Sequence, residues 1–332
     1  MLKAGIIGLG VGEQHIYGYN AHPDCQVIAA CDFDKKKLSE VQEKNPDISY
    51  FEDANEILNN PDIDIISIAS FDNFHAEQII QAINNGKHLF VEKPVCLHIE
   101  EAREIKKHLD EHPEIQLSSN LILRQSPRFI ELKKAIQNEE YGTLQYVEAD
   151  YNYGRIHKIL EGWRGKLDFY SIVHGGGVHV VDLVRWLTGD EIVKVCAVGA
   201  KTATKDSEFK FNDVVTSIIE FKSGLTGKIG MNFSCVSPHF HQLSIYGEKA
   251  TFQNDLPEAR RYISRDPEIP YETIDSDYPG MAKGDLLYDF VDAIINERQP
   301  IISKDEVFRT MEVCFAIEKS SYTFESVTVE KL

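Results

Sequence analysis

The feature that most constrains the fold is a short apolar run that meets a glycine-rich turn and then an amphipathic segment. Residues 3–8, KAGIIG, have the composition of a buried strand, and the turn GLGVGEQH follows at once. Gly8 and Gly10 fill the first two positions of the pattern G-x-G-x-x-G, in which a tight turn lets the backbone approach a pyrophosphate. Glu13 stands where the third glycine would be, with Gly12 beside it. The order of strand, turn and helix favours a dinucleotide-binding βαβ unit over a glycine turn without a ligand.

Strand-like and helix-like segments alternate as far as residue 120. Four further apolar runs follow the first, namely QVIAACD, IDIISIAS, HLFVEK and IQLSSNL. The segment FHAEQIIQAINNG places Ile79 and Ile83 on one helical face and ends at Gly86, where a helix terminus favours a left-handed residue. This rhythm predicts an α/β fold class, with an N-terminal Rossmann domain over residues 1–121 built on a doubly wound parallel sheet.

The rhythm changes after residue 121. A helix (SPRFIELKKAIQNEE), a long strand (LQYVEADYNYG) and a second helix (within GGGVHVVDLVRWLTG) are followed by consecutive strands and two closing helices. The strands form two predicted hairpins, one turning at Ser223-Gly224 and the other at Gly247. Strands without intervening helices predict a C-terminal α+β domain over residues 122–332, with an open and largely antiparallel sheet.

The charge balance argues against two classes of partner. The chain has 35 Lys and Arg residues against 53 Asp and Glu residues, a net charge of −18 at pH 7. Such a chain repels polyphosphate backbones and anionic lipid surfaces, so we expect neither nucleic acid nor a membrane as a partner. No apolar stretch reaches the roughly 20 residues of a membrane-spanning helix.

The cysteines bear on the compartment. They are scattered, without a C-x-x-C pair, and several lie in apolar runs such as VKVCAVG. This distribution indicates reduced core residues in a cytoplasmic protein, and the first residues show no signal-peptide pattern. The six cysteines are Cys25, Cys31, Cys96, Cys196, Cys235 and Cys314.

An acidic residue ends the second predicted strand and bears on the choice of cofactor. Asp32 lies about 20 residues after Gly10, where a carboxylate accepts hydrogen bonds from both ribose hydroxyls and repels a 2′-phosphate. The sequence therefore predicts NAD in preference to NADP. The unpaired N–H groups at the start of the first helix would hold the diphosphate without a basic side chain or a metal ion.

The apolar run IDIISIAS leads into ASFDNFHAEQ, at the same predicted edge of the sheet as Asp32. Ser70, Asn73 and His75 are candidates for contacts where the adenosine and nicotinamide halves of the cofactor meet. Asp72 or Asn73 has an alternative role as the N-cap of the next helix.

The stretch HLFVEKPVC ends an apolar strand with a carboxylate, an ammonium group and a proline. The carboxyl ends of parallel strands face the ligand crevice, so Glu92 and Lys93 are well placed for chemistry. A partly desolvated Lys93 can hydrogen-bond an alcohol oxygen or help to withdraw its proton, and Glu92 can hold the ammonium group or accept backbone contacts. Pro94 cannot extend a strand ladder, and a cis bond before it would aim the lysine inward. The alternative is a surface salt bridge at a strand end.

Several stretches together resemble the Gfo/Idh/MocA family of NAD(P)-dependent oxidoreductases, from end to end of the chain. They are GIIGLGVGEQH, CDFD, FDNFHAEQIIQAINNGKHLFVEKPV, WRG, GGGVHVVDLVRWLTG and FVDAIINERQPIISKDE, and the E-K-P triplet and the H-x-x-D pair are the most specific. The resemblance implies a Rossmann domain and an α+β domain whose open sheet serves substrate binding and oligomer contacts. It also implies a homodimer or homotetramer, and hydride transfer at a carbon of a sugar, polyol or nucleotide-sugar derivative.

The resemblance also assigns roles to single residues. Lys93 matches the family's catalytic lysine, and His179 matches the histidine proposed as general acid or base, with a structural histidine as the alternative. Asp182, one helical turn further, would orient that imidazole or bind a sugar hydroxyl. Trp163 and Arg164 match a pair near the cofactor, although Trp163 has the alternative role of a core aromatic. The full predicted cofactor-binding set is Gly8, Gly10, Val11, Gly12, Asp32, Ser70, Asn73, His75, Glu92, Lys93, Asn120, Trp163 and Arg164.

At one position the chain departs from the family pattern. Many members carry an aspartate four residues before the histidine, and here that residue is Gly175, preceded by His174. Either His174 substitutes for it as a substrate ligand, or Lys93 and His179 act without that carboxylate.

Other candidates follow from position alone. Tyr153 and Arg155 come after the long strand, and Arg155 is a candidate ligand of an anion or hydroxyl group on the substrate. Arg124, four residues after Asn120, is a candidate for a structural role. His239 and His241 have the spacing of a metal pair on a strand, but no carboxylate or cysteine completes a site, so no metal is predicted.

Three functions are compatible with these residues. The first is an NAD-dependent dehydrogenase acting on a hydroxyl group of a sugar-like substrate, with Lys93 and His179 managing the proton. The second is a glycosidase or lyase that uses bound NAD for transient oxidation. The third is a non-catalytic nicotinamide-binding protein, suggested by Gly175 and opposed by the intact Lys93, His179 and Asp182. The sequence favours the first.

Overall fold

The computed structural model describes residues 1–282 and 284–332, and the chain divides into two compact units. The first contains Met1–Ile122, Ala282–Arg309 and Leu332, and the second contains Leu123–Met281 and Thr310–Lys331. The assignment of separate roles to residues on either side of position 121 stays a prediction. Within the described residues, no helix has both the length and the hydropathy needed to cross a membrane.

The first unit is built on six parallel strands. Its elements up to residue 122 are β1 (Leu2–Ile7), α1 (Leu9–Asn20), β2 (Cys25–Cys31), α2 (Lys35–Lys44), β3 (Ser49–Phe51), α3 (Asn55–Leu58), β4 (Ile65–Ile68), α4 (His75–Asn84), β5 (His88–Val91), α5 (Ile99–Glu111) and β6 (Leu117–Ser119). The strand order is β3-β2-β1-β4-β5-β6, and every neighbouring pair is parallel. The predicted doubly wound sheet is confirmed, and the order reverses between β1 and β4, where such folds bind their ligands.

Parallel pairing brings the ends of these strands to one edge of the sheet. Gly8, Asp32, Glu92 and Asn120 directly follow β1, β2, β5 and β6. The central strands are buried on both faces, as in the wholly buried β4, because helices cover both sides of a parallel sheet. The residues that directly follow the strands therefore lie along one carboxyl edge of the sheet.

The remaining described elements are the nine strands of a second sheet, four longer helices and one short helix. They are α6 (Pro127–Gln137), β7 (Leu144–Asn152), α7 (His157–Leu160), α8 (Val178–Thr188), β8 (Ile192–Ala200), β9 (Val214–Phe221), β10 (Thr226–Asn232), β11 (Phe240–Gly247), β12 (Thr251–Asn254), β13 (Ala259–Tyr262), β14 (Glu272–Ile274), α9 (Asp285–Ile295), α10 (Lys304–Thr323) and β15 (Ser326–Thr328). Helix α9 belongs to the first unit, where Leu287 packs against Gly18 of α1.

The second sheet is largely antiparallel, as predicted. Its order is β14-β13-β12-β11-β7-β10-β9-β8-β15, and β7 and β10 form its parallel pair. One face is buried and the other is open, because side chains alternate along strands such as β9. Val198 and Ile218, both 56% exposed, lie on the open face.

Both hairpins occur, with one difference in detail. The β9–β10 pair turns at Ser223-Gly224, as predicted. Between β11 and β12 the turn lies just beyond the predicted position, and Gly247 is the last residue of β11. A glycine is needed there because a side chain would overlap the carbonyl oxygen of Tyr141.

The prediction that the cysteines are core residues is wrong for two of them. Cys25, Cys31, Cys96 and Cys314 are buried, but Cys196 is exposed and Cys235 is partly exposed. Cys196 lies in an apolar run, yet alternation along β8 turns its side chain to the open face.

Gly86 and Gly10 offer a matched test of backbone strain in the first unit. Apart from the adjoining backbone of its own segment, no described atom lies within 4 Å of a Cβ added at either residue, but Gly86 has φ +71° whereas Gly10 lies in α1. We expect Gly86→Ala to lower the free energy of unfolding by about 1 kcal/mol, because L side chains disfavour the left-handed region. Gly10→Ala should leave it unchanged or raise it by up to about 1 kcal/mol, because alanine favours helices. Urea unfolding without cofactor measures both, and equal effects would contradict the assignment of strain to Gly86.

Candidate active site

The glycine turn after β1 has the geometry of a pyrophosphate cradle. Gly8 has φ 87°, and a side chain there would overlap the backbone of Ala69. A Cβ at Gly12 would lie 2.8 Å from Ile6, so Gly12 provides the close packing of helix on strand usually given by the third glycine of the motif. Gly10 is exposed at the start of α1, so the backbone is open to a ligand there. The chain's own residues therefore fit a dinucleotide at this turn.

Glu13, which stands at the third glycine position of the motif, forms ion pairs within the first unit. Its carboxylate binds two ammonium groups from α2, Lys37 Nζ at 2.6 Å and Lys44 Nζ at 2.7 Å. The hydrogen bonds from Lys37 and then Lys44 lower the pKa of Glu13. Its negative charge is thus balanced locally, and α1 keeps the anion-binding character of its N-terminus.

Asp32 lies at the carboxyl edge of the sheet and also hydrogen-bonds the backbone of the glycine turn. Its Oδ2 accepts the N–H of Leu9 at 2.7 Å, and its Oδ1 accepts the N–H of Asp34 at 2.9 Å. Each carboxylate oxygen has a further lone pair for a ligand hydroxyl. The carboxylate is therefore fixed in position before a cofactor binds.

The predicted cofactor residues in the loop after β4 differ in their exposure and contacts. Asn73 is exposed, Ser70 donates a hydrogen bond to Gln78 at 2.7 Å, and His75 is fully buried. The His75 ring lies between two carbonyl oxygens, those of Pro94 at 2.7 Å and Ser70 at 3.2 Å, so it ties this loop to the segment after β5. A contact of His75 itself with a cofactor is not favoured by this burial.

The N-cap alternative for this loop is wrong. Helix α4 begins at His75 and has Phe74 as its N-cap. Asp72 and Asn73 instead lie in a preceding 3₁₀ turn, Asp72–Phe74. The sequence could not fix this boundary, because the 3₁₀ turn shifts the start of the helix by three residues.

Two aromatic residues at the same edge are new candidates. Phe33, 66% exposed, and Phe71 lie edge to face with ring centroids 5.4 Å apart. They follow β2 and β4, so they flank the sheet edge next to Asp32. An exposed aromatic ring at this place suits stacking on a planar base. The signal in the sequence was an apolar residue directly after the acidic strand end.

The E-K-P segment surrounds a buried carboxylate. Glu92 is 12% exposed, so the surface salt bridge is excluded, and the Lys93-Pro94 bond is cis, as predicted. Glu92 Oε1 lies 2.7 Å from the Asn120 amide and 3.3 Å from His15 Nε2. Burial opposes ionisation, but the His15 hydrogen bond and charge, the Lys93 charge and the Asn120 hydrogen bond outweigh it and lower the pKa of Glu92 to about 2. Lys93 therefore lies beside a fixed negative charge.

On the second unit, the glycine triplet forms a π-helical turn, Val173–Gly177, that leads into α8. Side chains at these glycines would overlap the rings of Tyr170 and Tyr151 or lie 2.8 Å from Met231. The turn therefore packs directly on the sheet and its flanking segment. Such π turns often occur at functional sites, because they change which side chains a helix presents.

His179 belongs to a cluster of histidine and tyrosine rings. Its ring stacks near Tyr151, with centroids 6.1 Å apart, and lies 6.0 Å from the ring of His241. His241 in turn hydrogen-bonds the Tyr278 hydroxyl through Nδ1 at 2.7 Å, and its ring lies 4.9 Å from that of His239. His241 and Tyr278 were not among the predicted site residues, because their contact spans 37 positions in sequence.

Asp182 has a structural partner. It is fully buried, and its two oxygens accept hydrogen bonds from Arg124 Nη2 at 2.6 Å and Nε at 3.0 Å. This bidentate pair satisfies both groups and confirms the structural alternative for Arg124. A direct contact of Asp182 with a substrate is not favoured, since both carboxylate oxygens are engaged inside the unit.

His174 is also buried. Its side chain is 1% exposed, and its ring meets Phe315 edge to face at 5.2 Å and Phe169 at 6.0 Å. Tyr170 lies where a side chain at Gly175 would project. Position 175 therefore supplies no carboxylate. Because His174 is buried, it is not favoured as a substitute for that carboxylate.

The predicted residues after β7 lie near this cluster. Tyr153 stacks on Tyr151 at 5.6 Å, and the exposed guanidinium of Arg155 lies 5.4 Å from the centre of the Tyr153 ring. Arg164 lies 4.5 Å from the centre of the Trp163 ring in a 3₁₀ turn. Trp163 is partly exposed, so the core alternative is not supported.

Comparisons with known proteins agree with these features. Residues 2–120 match the model of the GFO/IDH/MocA oxidoreductase family, an NAD-binding Rossmann fold, and residues 129–253 match the GFO/IDH/MocA C-terminal domain. This chain therefore belongs to the GFO/IDH/MocA oxidoreductase family. The predicted family, fold class and NAD-dependent oxidoreductase chemistry are confirmed.

Named relatives lie at moderate distance. The chain is 27% identical over 262 residues to myo-inositol 2-dehydrogenase of Thermotoga maritima, covering 75% of this chain and 73% of that protein. It is 27% identical over 252 residues to the NAD(+)-dependent scyllo-inositol 2-dehydrogenase of Bacillus subtilis, covering 73% and 70%.

Solved structures share the fold. Levoglucosan dehydrogenase in complex with NADH superposes with a TM-score of 0.87 over 100% of both chains at 20% identity. Myo-inositol 2-dehydrogenase from Lactobacillus plantarum superposes with a TM-score of 0.85 over 99% of both chains at 22% identity.

Glu318 of α10 provides a pH-dependent test of the packing around the π turn. Burial raises the pKa of Glu318 to about 7, against the lowering effect of its hydrogen bond with Ser171. Ser171 also accepts the N–H groups of Val173 and His174, which begin the turn. Because the folded protein holds this proton more tightly than the unfolded chain, stability should fall as the pH rises from 4.5 to about 7 and stay lower above that.

We therefore expect the effect of Glu318→Gln on the free energy of unfolding to differ between the two pH values. The variant should be more stable relative to wild type at pH 8 than at pH 4.5, by about 2 kcal/mol. Urea unfolding at both pH values measures the difference. Glu325→Gln, at an exposed residue just after the same helix, is the control and should change stability equally at both. A pH-independent effect of Glu318→Gln would contradict the raised pKa.

Proposed function

We propose that this chain is an NAD-dependent dehydrogenase that oxidises a hydroxyl-bearing carbon of a sugar-like polyol, with cyclitols as the first class to test. The proposal rests on Lys93, which lies beside an ionised and buried carboxylate at the sheet edge that also carries the dinucleotide turn. The names of the relatives, which are inositol dehydrogenases, support the choice of substrate class.

The roles of the chain's own residues follow from their chemistry. A bound nicotinamide ring would supply the hydride acceptor. Lys93 hydrogen-bonds the alcohol oxygen and stabilises the charge that develops on it. His179, a buried imidazole of the second unit that is 8% exposed, receives the hydroxyl proton, and Tyr151 and His241 restrict the orientation of its ring.

In this proposal the reaction needs no carboxylate at position 175. Asp182 acts through its pair with Arg124, which fixes α8 and hence the backbone that carries His179. Tyr153 and Arg155 are the proposed substrate contacts among the residues after β7. Trp163, Arg164 and the exposed Asn73 stay proposed cofactor contacts, as do Val11 and Ser70.

We also propose that NAD is preferred to NADP. The carboxylate of Asp32 is held in place by two backbone N–H groups. The three lysines that follow it are each paired with an acidic residue. Lys35 binds Glu52 at 3.0 Å, Lys36 lies 3.9 Å from Glu40, and Lys37 binds Glu13. These pairs leave the negative charge of Asp32 to act on a 2′-phosphate.

The preference can be tested by removing one charge. We expect Asp32→Asn to improve the affinity for NADP relative to NAD by about tenfold or more, because a like charge is removed from the ribose position. Asp34→Asn, which removes a carboxylate two residues away, is the control and should change the ratio by much less. Isothermal titration with both dinucleotides measures it, and an unchanged ratio in Asp32→Asn would refute the assignment.

Assembly and compartment are further parts of the proposal. We infer a homodimer or homotetramer formed through the open face of the second sheet, since exposed Val198 and Ile218 are apolar residues that a partner could cover. Four buried cysteines in a chain without a predicted disulfide pattern support a reducing, cytoplasmic location.

The catalytic role of Lys93 has a direct test. We expect Lys93→Met to lower kcat for cyclitol oxidation by about 100-fold or more, while the Kd for NAD changes little. Lys106→Met, at a salt-bridged lysine on α5, is the control and should keep full activity. Absorbance at the NADH band measures turnover on a panel of cyclitols and sugars.

The same assay separates the alternatives. Unchanged turnover in Lys93→Met would refute its role. Bound NAD with product formed but no net NADH would instead favour transient oxidation by a glycosidase or lyase.

A further inference from the structure

A chain of buried polar side chains lies behind Lys93 in the first unit. His15 of α1 is fully buried, with Nδ1 2.7 Å from Ser67 Oγ of β4 and Nε2 3.3 Å from Glu92 Oε1. The Asn120 amide after β6 donates to the same Oε1 at 2.7 Å. Residues of α1 and of the segment after β6 therefore converge on one carboxylate, and β4 supports them through the contact of Ser67 with His15.

The hydrogen bonds fix the state of the imidazole at one nitrogen. An ionised carboxylate only accepts hydrogen bonds, so Nε2 of His15 carries a proton toward Glu92. The edge-to-face contact with Phe90, at 5.5 Å and 89°, holds the plane of the ring. His15 is thus a donor of fixed direction, placed on the side of Glu92 away from solvent.

The inner end of the chain is closed. Ser67 is fully buried, and the fully buried phenol of Tyr19 lies next to it, where Ser67 opposes the rise of the Tyr19 pKa that burial causes. A proton that entered this chain would meet the core of the unit and not water. The arrangement therefore suits an electrostatic anchor better than a proton channel.

We propose that His15, supported by Ser67, is a positioning residue that keeps the Glu92 carboxylate ionised and oriented beside Lys93. The inference rests on the proposed function, because it assigns the purpose of the anchor to Lys93. The charged or titratable groups that face Glu92 are His15 from α1 and Lys93 from its own segment, together with the amide of Asn120. Without the His15 donor, the buried carboxylate takes up a proton at higher pH and the negative charge beside Lys93 is lost.

Three substitutions separate the contacts of the ring. His15→Leu removes both of its hydrogen bonds. His15→Gln places an amide near the position of Nε2 and keeps a donor to Glu92, whereas His15→Asn keeps a polar group only near Ser67. His22→Gln is the matched control, because His22 is another buried histidine of this unit whose ring nitrogen accepts the N–H of Asp24.

The first measurement needs no turnover. Proteins labelled with ¹³C at glutamate carboxyl groups are titrated by NMR, with the Glu92 signal assigned from its loss in Glu92→Gln. We expect Glu92 to stay ionised to the lowest pH at which the wild-type protein folds. In His15→Leu its titration should move up by at least one pH unit, and His15→Gln should restore at least half of that shift. An unshifted Glu92 titration in His15→Leu would overturn the proposal.

The second measurement is the pH profile of kcat/KM. In His15→Leu we expect a new loss of activity on the acidic side, absent from wild type and from His22→Gln, and a Kd for NAD within threefold of wild type. A loss that is uniform across pH would mean a structural role alone and would overturn the inference.

A variant that does not fold and a wild-type protein that lacks polyol activity can be told apart from a failure of this proposal. If His15→Leu does not fold, Ser67→Ala should shift the Glu92 titration in the same direction by a smaller amount, and no shift there would refute the proposal. If wild-type protein forms no NADH from any polyol, the proposed function fails while the NMR titration still decides whether His15 holds Glu92 ionised.

Discussion

Parallel pairing around β1 is the constraint on which the first unit depends. β1 pairs with β2 on one side and β4 on the other, so the chain reverses its order there and leaves a gap at the carboxyl edge. The glycine turn and Asp32 lie beside that gap, and Glu92 and Asn120 follow neighbouring strands along the same edge. A carboxylate can be buried at Glu92 only because this geometry delivers donors from α1 and β6 to the same oxygen.

The second unit meets a different demand, which is to hold one helix very close to a sheet. The π turn before α8 packs its backbone on Tyr151, Tyr170 and Met231, so the helix begins at a defined depth. The buried pair of Arg124 and Asp182 then fixes α8 further along. His179 lies between these two points, and its orientation is set by the packing on both sides of it.

Much of the fold could be predicted from the sequence because its signals are local. The apolar runs, the glycine turn and Gly86 each report on a few adjacent residues, and they place the parallel sheet and its edge correctly. Asp182 was harder to interpret, because its pairing with Arg124 joins residues 58 positions apart. The same holds for His15, which meets Glu92 across 77 positions. Cys196 shows a further limit, since an apolar run does not reveal which of its residues face the core.

The placement of Tyr170 has a consequence for which side chains position 175 can accept. Its buried hydroxyl occupies the space into which any side chain at Gly175 would extend. An acidic residue at that position could not be introduced by one substitution without displacing the phenol. The two positions are therefore coupled sterically, and a variant that gains a carboxylate at position 175 needs a smaller side chain at position 170 as well.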